Sequence, residues 1–244
     1  MITVFQIDTM PRDYRIRILR GRLVGGRTEN SYFARPAALG TMSLINWLFP
    51  KLSQYFGEGL PSFVDPDEPW KILSHSPEGI IAQISELVGD GGTFIHPSAV
   101  IGDFVEIEEG CYIGPRAEIR HCAYLRRGTW VCEGAMVGHS TEVKNSLLLP
   151  LSKAPHFNYV GDSILGIDVN LGAGTKLSNV RNDRGEIVVH LKDGSRSETG
   201  LSKLGALVGD GSQLGCNVVT NPGSIISPGS MINPNATVRG FYEN

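Results

Sequence analysis

The sequence predicts a mainly β protein, a left-handed parallel β-helix built from six-residue repeats, preceded by a small, mostly helical region. Three observations carry that prediction. From residue 95, nine aliphatic residues recur at intervals of six: Ile95, Ile101, Ile107, Ile113, Ile119, Leu125, Val131, Val137 and Val143. Four positions after most of them stands a small or modest residue, as in Ala99, Cys111, Ala117, Ala123, Thr129 and Ala135. The 30 glycines accompany this beat, whereas strong helical periodicity is confined to the first third.

A period of six matches neither the three-and-four spacing of an amphipathic helix nor the alternation of a half-buried strand. It suits short strands joined by turns, with the aliphatic pointing inward and the small residue fitting a corner. Three hexads then close a triangular coil. Equivalent residues stack about 4.8 Å apart, and each coil buries its neighbour's apolar face. The beat returns at Leu165, Leu171 and Leu177, and again at Val208, Leu214, Thr220, Ile226, Ile232 and Val238.

Two segments interrupt it. LLPLSKAPHFNY, around 148–159, reads as an excursion from the prism that lifts His156 out. Residues 181–205 contain EIVVHL and the turn KDGS, which read as a protruding β-hairpin.

Residues 1–92 are expected to form a separate, partly helical cap over the N-terminal end of a 93–244 β-helix. TMSLINWLFPKLSQYFG has an apolar face that Pro50 should break. Ser76-Pro77-Glu78 before GIIAQISELVG reads as a capped helix start, with Gly89 as its stop.

Composition excludes several classes. A net charge of −3 with no basic block argues against nucleic-acid or acidic-membrane partners. No apolar run approaches the ~18 residues needed to span a bilayer. The opening MITVFQIDTMPRDYR lacks the order of a secretory signal. Cys111, Cys122, Cys132 and Cys216 show no metal-type pairing, so they read as reduced thiols in a cytoplasmic protein.

AYLRRGTWVCEGAMVGHSTEVKNS and SKAPHFNYVGDSILGIDVNLGAGTKLSNV closely resemble the acetyltransferase half of the bifunctional N-acetylglucosamine-1-phosphate uridyltransferases. The hairpin and KLGALVGDG are more similar to the archaeal-type sugar-1-phosphate nucleotidylyltransferase/acetyltransferases. The resemblance covers roughly residues 95–240. It does not reach the first ninety residues, which lack the family's L-x-x-G-x-G-T-R loop, so uridylyl transfer is not implied.

The resemblance implies a homotrimer that uses acetyl-CoA to N-acetylate an amino-sugar phosphate or nucleotide-sugar, with no metal. His156 then matches the family's general base, an imidazole suited to removing a proton from the attacking amine. Arg126 and Lys144 match the contacts to the sugar phosphate. Tyr159 and Asn170 match sugar contacts, and Ala173, Asn179 and Cys216 match the coenzyme A groove. Three positions depart from the pattern: Pro155 replaces a Gly, Val180 a Tyr, and the lysine after that turn is missing, with Lys192, Arg196 and Lys203 as substitutes on the insertion.

Two rivals remain. One is a trimer that binds a sugar nucleotide, or serves as a scaffold, without turnover. The other is a zinc hydratase of the carbonic-anhydrase kind, using His121, His139 and His156.

Overall fold

The computed structural model describes residues 42–243. Of the helical region expected over 1–92, residues 1–41 lie outside the described residues. From Phe94 onward the chain winds as a left-handed β-helix whose short parallel strands stack into three sheets of eight, seven and seven strands. We call their faces A, B and C in the order the chain visits them.

Each face has its own inward column. Ile95, Ile113, Val131, Leu148, Leu165, Val208 and Ile226 line A. Ile119, Val137, Ala154 and Leu171 belong to B, and Leu125, Val143, Val160 and Leu177 to C. From Ile113 on, nearly all are inaccessible to solvent, each side chain contributing about 1.5–3 kcal/mol of burial. The small residues fill the corners. Where the corner residue is Thr or Ser, its buried hydroxyl has a partner. Thr129 Oγ1 donates to Arg126 O (2.6 Å) and Thr141 Oγ1 to Ala154 O (3.1 Å), which removes the penalty of an unsatisfied polar group.

The excursion expected at 148–159 does not exist. Leu148, Ala154 and Val160 pair with Val131, Val137 and Val143, so the coil containing His156 is a full rung. It is one residue short. The chain turns the C–A corner after Val143 and again after Val160 with one residue fewer, through Asn145 (φ 43°) and Asp162 (φ 45°). At those corners Ser146 and Ser163 take over the role of Thr129, their hydroxyls donating to Lys144 O and Gly161 O, both at 2.7 Å.

The described part of the helical segment, residues 42–92, does not close the end of the prism. Its helix α1 (Leu44–Leu48), the 3-10 turns Pro50–Gln54 and Pro69–Leu73, and helix α2 (Ile80–Val88) lie against the outside of face A. That face is apolar on both sides, because Tyr112, Trp130, Leu147, Ile164, Leu207 and Ile225 precede the inward residues there. Leu48, Phe49, Trp70, Ile72, Ile80 and Ile84 cover them. Among the described residues, the first rung stays open, with Ile95 and Ile101 about 40% exposed (41% and 39%).

Pro50 ends α1 as expected. Helix α2 starts later than the Ser76 cap implied, because Ser76–Gly79 close a turn (Gly79 N to Ser76 O, 3.0 Å) and Gly79 is the N-cap. Gly89 ends it at φ 88°.

The hairpin forms, pairing Val188–His190 with Arg196–Glu198. It does not protrude. Ile187, Val189 and Leu204 are buried in the same layer that covers face A, since alternate residues of the first strand are apolar. No helix among the described residues is long and apolar enough to cross a membrane.

Candidate active site

The corner between faces B and C carries a vertical line of residues: Asp103, His121, His139, His156, Ala173 and Cys216. Backbone bonds fix this line. Cys122, Ser140, Phe157, Gly174 and Asn217 each donate an N–H to the carbonyl of the line residue one coil earlier, at 2.8–3.4 Å. His156, Ala173 and Cys216 thus occupy consecutive coils on one edge.

The His156 ring is exposed, while its main chain is clamped. Its N–H donates to Asn158 Oδ1 (3.0 Å). Asn158, itself buried, donates to Gly172 O (2.8 Å) and receives nothing from the ring. One coil earlier, Gly138 lies so close to Pro155 that a Cβ there would sit 1.8 Å from the Pro155 carbonyl oxygen. The ring is free, and the backbone that carries it is not.

Arg126 and Lys144 share the opposite edge of face C, one coil apart, as the repeat implied. Neither charge is unpartnered. Arg126 bonds Glu142 (3.0 Å) and approaches Glu108 (3.7 Å), and the bond to Glu142 raises its pKa further. Lys144 Nζ lies 3.1 Å from buried Asp162, which also accepts from Asn145 (2.9 Å) and Asn179 (2.5 Å). Asn179 therefore sits with the cations and not with Ala173 and Cys216.

Tyr159 is placed on face C between the two edges, its phenol pKa raised chiefly by burial. Asn170 is on face B, beside Lys153 in the ladder. One chain thus holds the expected site residues in two groups along the two edges of face C, with Tyr159 between them and Asn170 on face B. Gly185 and Val188 occupy the region of the family's missing lysine, Gly185 just before the hairpin and Val188 at the start of its first strand. Of its candidate substitutes, Lys192 is paired with Glu243 (2.6 Å) and lies over the Trp47 ring.

Two residues the sequence reading missed lie on the faces that meet at the His156 edge. Lys153 points outward on face B three residues before His156. Lys176 is paired with Tyr159 on face C, and its Nζ donates to the corner carbonyl of Gly174 (2.5 Å). Both are exposed, and neither has a carboxylate partner among the described residues. The signal was available: each occupies the outward position just before an inward residue, Ala154 or Leu177.

All four cysteines are free. Burial pushes the Cys111 thiol up to about 12 and the Cys132 thiol higher still, which leaves Cys122 and Cys216 as the exposed thiols. The three histidines of the rival zinc-hydratase reading do not come together. The rings of His121 and His139 stack at 5.4 Å, and the third donor near them is Cys122, not His156.

A family model described as bacterial transferase hexapeptide (six repeats) matches residues 91–121. The chain is 37% identical over 170 residues to a bifunctional sugar-1-phosphate nucleotidylyltransferase/acetyltransferase of Sulfurisphaera tokodaii, covering 66% of this chain and 42% of that protein. It is 31% identical over 263 residues to the bifunctional protein GlmU of Methanococcus aeolicus, covering 98% of this chain and 61% of that one. The chain thus spans about two fifths to three fifths of these relatives' length. Among solved structures, GDP-perosamine N-acetyl transferase from Caulobacter crescentus aligns at 15% identity and a TM-score of 0.34, covering 61% of this chain and 53% of that one.

Proposed function

From a chain that carries a hexapeptide-repeat domain related to the nucleotidylyltransferase/acetyltransferases, we propose an acetyl-CoA-dependent N-acetyltransferase acting on an amino-sugar phosphate or nucleotide-sugar. The chemistry is assigned to residues 93–244, with 1–92 as an accessory region. The observation that carries this reading is the position of His156: exposed, on a clamped backbone, one coil above Ala173 and two above Cys216.

In this reading, coenzyme A lies along the line through Ala173 and Cys216, with the thioester beside His156. The acceptor's amine attacks the acetyl carbonyl carbon, and the His156 imidazole takes the proton that the nitrogen loses. The C–S bond breaks, and the same proton passes to the departing thiolate. A base so placed contributes ~10²–10⁴ in rate, and positioning supplies further acceleration. Lys153 and Lys176 give the edge unpaired positive charge for phosphate-bearing partners. Arg126, Lys144 and Tyr159 contact the acceptor, Asn170 assists on face B, and Asn179 holds Asp162 for Lys144.

Because the two groups lie on different edges, one edge of a neighbouring chain completes the site, as a homotrimer would allow. Face A is covered by the chain's own residues, so the neighbours meet through B, C and their edges. Free thiols without disulfides suit a cytoplasmic setting.

A second reading, a trimer that binds without turnover, draws support from the ion pairs that already engage Arg126 and Lys144. A coupled thiol-release assay over a panel of amino-sugar phosphates and nucleotide-linked amino sugars separates the two. Release with one acceptor, abolished in His156→Ala, supports transfer. Tight coenzyme A binding with no release on any acceptor supports the binding protein.

A further inference from the structure

We propose that His121, Cys122 and His139 form a binding site for a divalent transition ion of the zinc type, separate from the acyl-transfer chemistry and independent of it. One donor atom from each residue lies within 4.8 Å of the other two. Ligands around a tetrahedral zinc stand 2.0–2.3 Å from the ion, so a small inward movement of exposed side chains closes the set. Two imidazoles with one thiolate favour zinc or cobalt over the hard cations magnesium and calcium.

The surroundings match what such ligands need. His139 donates its Nδ1–H to the His121 carbonyl at 3.0 Å, which fixes the tautomer and leaves the Nε2 lone pair to accept from the exchangeable Ser140 hydroxyl at 3.3 Å, a bond that an ion would replace. That backbone support of the non-ligating nitrogen is the usual companion of a metal-bound histidine. Phe104 sets its edge against His121 at 5.5 Å and Phe157 against His139 at 5.3 Å, so apolar rings bound the pair above and below. Cys122 is one of the two exposed thiols.

The imidazole planes are only 19° apart, so one ring must turn to bring both lone pairs onto one ion. His121, exposed and without a side-chain hydrogen bond, is the ring free to do so. On binding, the Cys122 thiol gives its proton to solvent. Three protein ligands leave a fourth position for water or another donor.

The test uses the full chain and Co²⁺ as the probe, read by absorbance. One Co²⁺ per chain is expected, with an intense thiolate-to-cobalt charge-transfer band and the visible bands of four-coordination. Cys122→Ser should lose the charge-transfer band, and His139→Ala should weaken binding by at least ~100-fold, beyond the ~10–100-fold typical of supporting contacts. Cys216→Ser and His156→Ala should bind as wild type. Serine is compatible with the corner backbone at 122 (φ 57°), since Ser140 occupies the same position one coil on at φ 51°. As a second readout on the unmutated chain, Zn²⁺ should protect Cys122, and not Cys216, from alkylation, seen by peptide mass spectrometry. Absence of the band in wild type, its persistence in Cys122→Ser, or equal alkylation of both thiols with Zn²⁺ present overturns the proposal.

Discussion

Lys144 holds its ammonium 3.1 Å from the carboxylate of Asp162, and that carboxylate is only 5% exposed. Removing the lysine leaves a buried anion with two amide donors, a change that typically costs ~3–5 kcal/mol. Lys144→Ala is therefore expected to lower the melting temperature clearly, and Asp162→Asn in the same chain to recover part of the loss. Thermal melts of the single and double variants decide this. Equal melting of Lys144→Ala and wild type would show that the pair contributes nothing.

Arg126 is the cleaner probe of a phosphate contact, because its pairs are more exposed and worth at most ~1 kcal/mol to the fold. Arg126→Ala should melt close to wild type while KM for a phosphorylated acceptor rises ~10–100-fold, the loss of one charge-assisted contact. An unchanged KM would make Arg126 a surface ion pair only.

His156→Ala should leave the rung intact, since the interactions that fix residue 156 are made by its backbone. Melting should match wild type within a degree or two, and acetyl transfer should fall ~10²–10⁴-fold. Loss of folding along with activity would assign the ring a structural role.

Gly138→Ala tests the clamp on the neighbouring coil. The new methyl would meet the Pro155 carbonyl carbon at 2.2 Å as well as its oxygen, so backbone must move. A destabilisation of ~1–3 kcal/mol is expected from this overpacking, with reduced transfer because Pro155 carries His156. Chemical unfolding with m-values unchanged is the measurement.

Asp210 provides a pH test. It accepts the N–H of Ile167 (2.7 Å) and of Lys51 (2.9 Å), but burial pushes its carboxyl up from 3.8 to about 6. A raised carboxyl contributes stability that is fully present below about 3.8 and is lost as pH rises through about 6. The loss amounts to up to about 3 kcal/mol. Asp210→Asn should remove that slope between pH 4 and 7, at a fixed cost, since an amide offers one acceptor oxygen for two donors. Parallel pH dependences in the two proteins would contradict the assignment.

The prism was legible because its signal is strictly local: Ile113, Ile119 and Leu125 fall six apart, and each lands inward. The rung at His156 was not, because its inward residues are Leu148, Ala154 and Val160, whose middle member is too small to mark the beat. The shortened corners at Asn145 and Asp162 then shift the count by one. The cover on face A left a trace outside the six-residue beat. Every third strand reads as an apolar doublet, as in Tyr112–Ile113, Trp130–Val131 and Leu147–Leu148, which marks a sheet buried on both sides. At the candidate site, Arg126 and Lys144 could be read as stacked. Their carboxylate partners depend on cross-coil geometry, and Asn179 could not be placed beside Asp162 from spacing alone.

The cover on face A also imposes an order on the chain's assembly. Trp47 stacks on Phe241 at 5.6 Å, and Asp210 donates its N–H to Leu48 O at 2.9 Å, so α1 rests on coils formed from the far end of the sequence. Rungs can add one after another as they are synthesised, each on its predecessor. The α1 segment has no complete seat until Phe241 has left the ribosome. Until then Trp47 and Leu48 wait with their apolar surface uncovered, and closing that long loop follows the stacking of the rungs on which α1 rests. A nascent chain halted before Phe241 emerges would carry the earlier rungs stacked and α1 undocked, a form open to capture by chaperones.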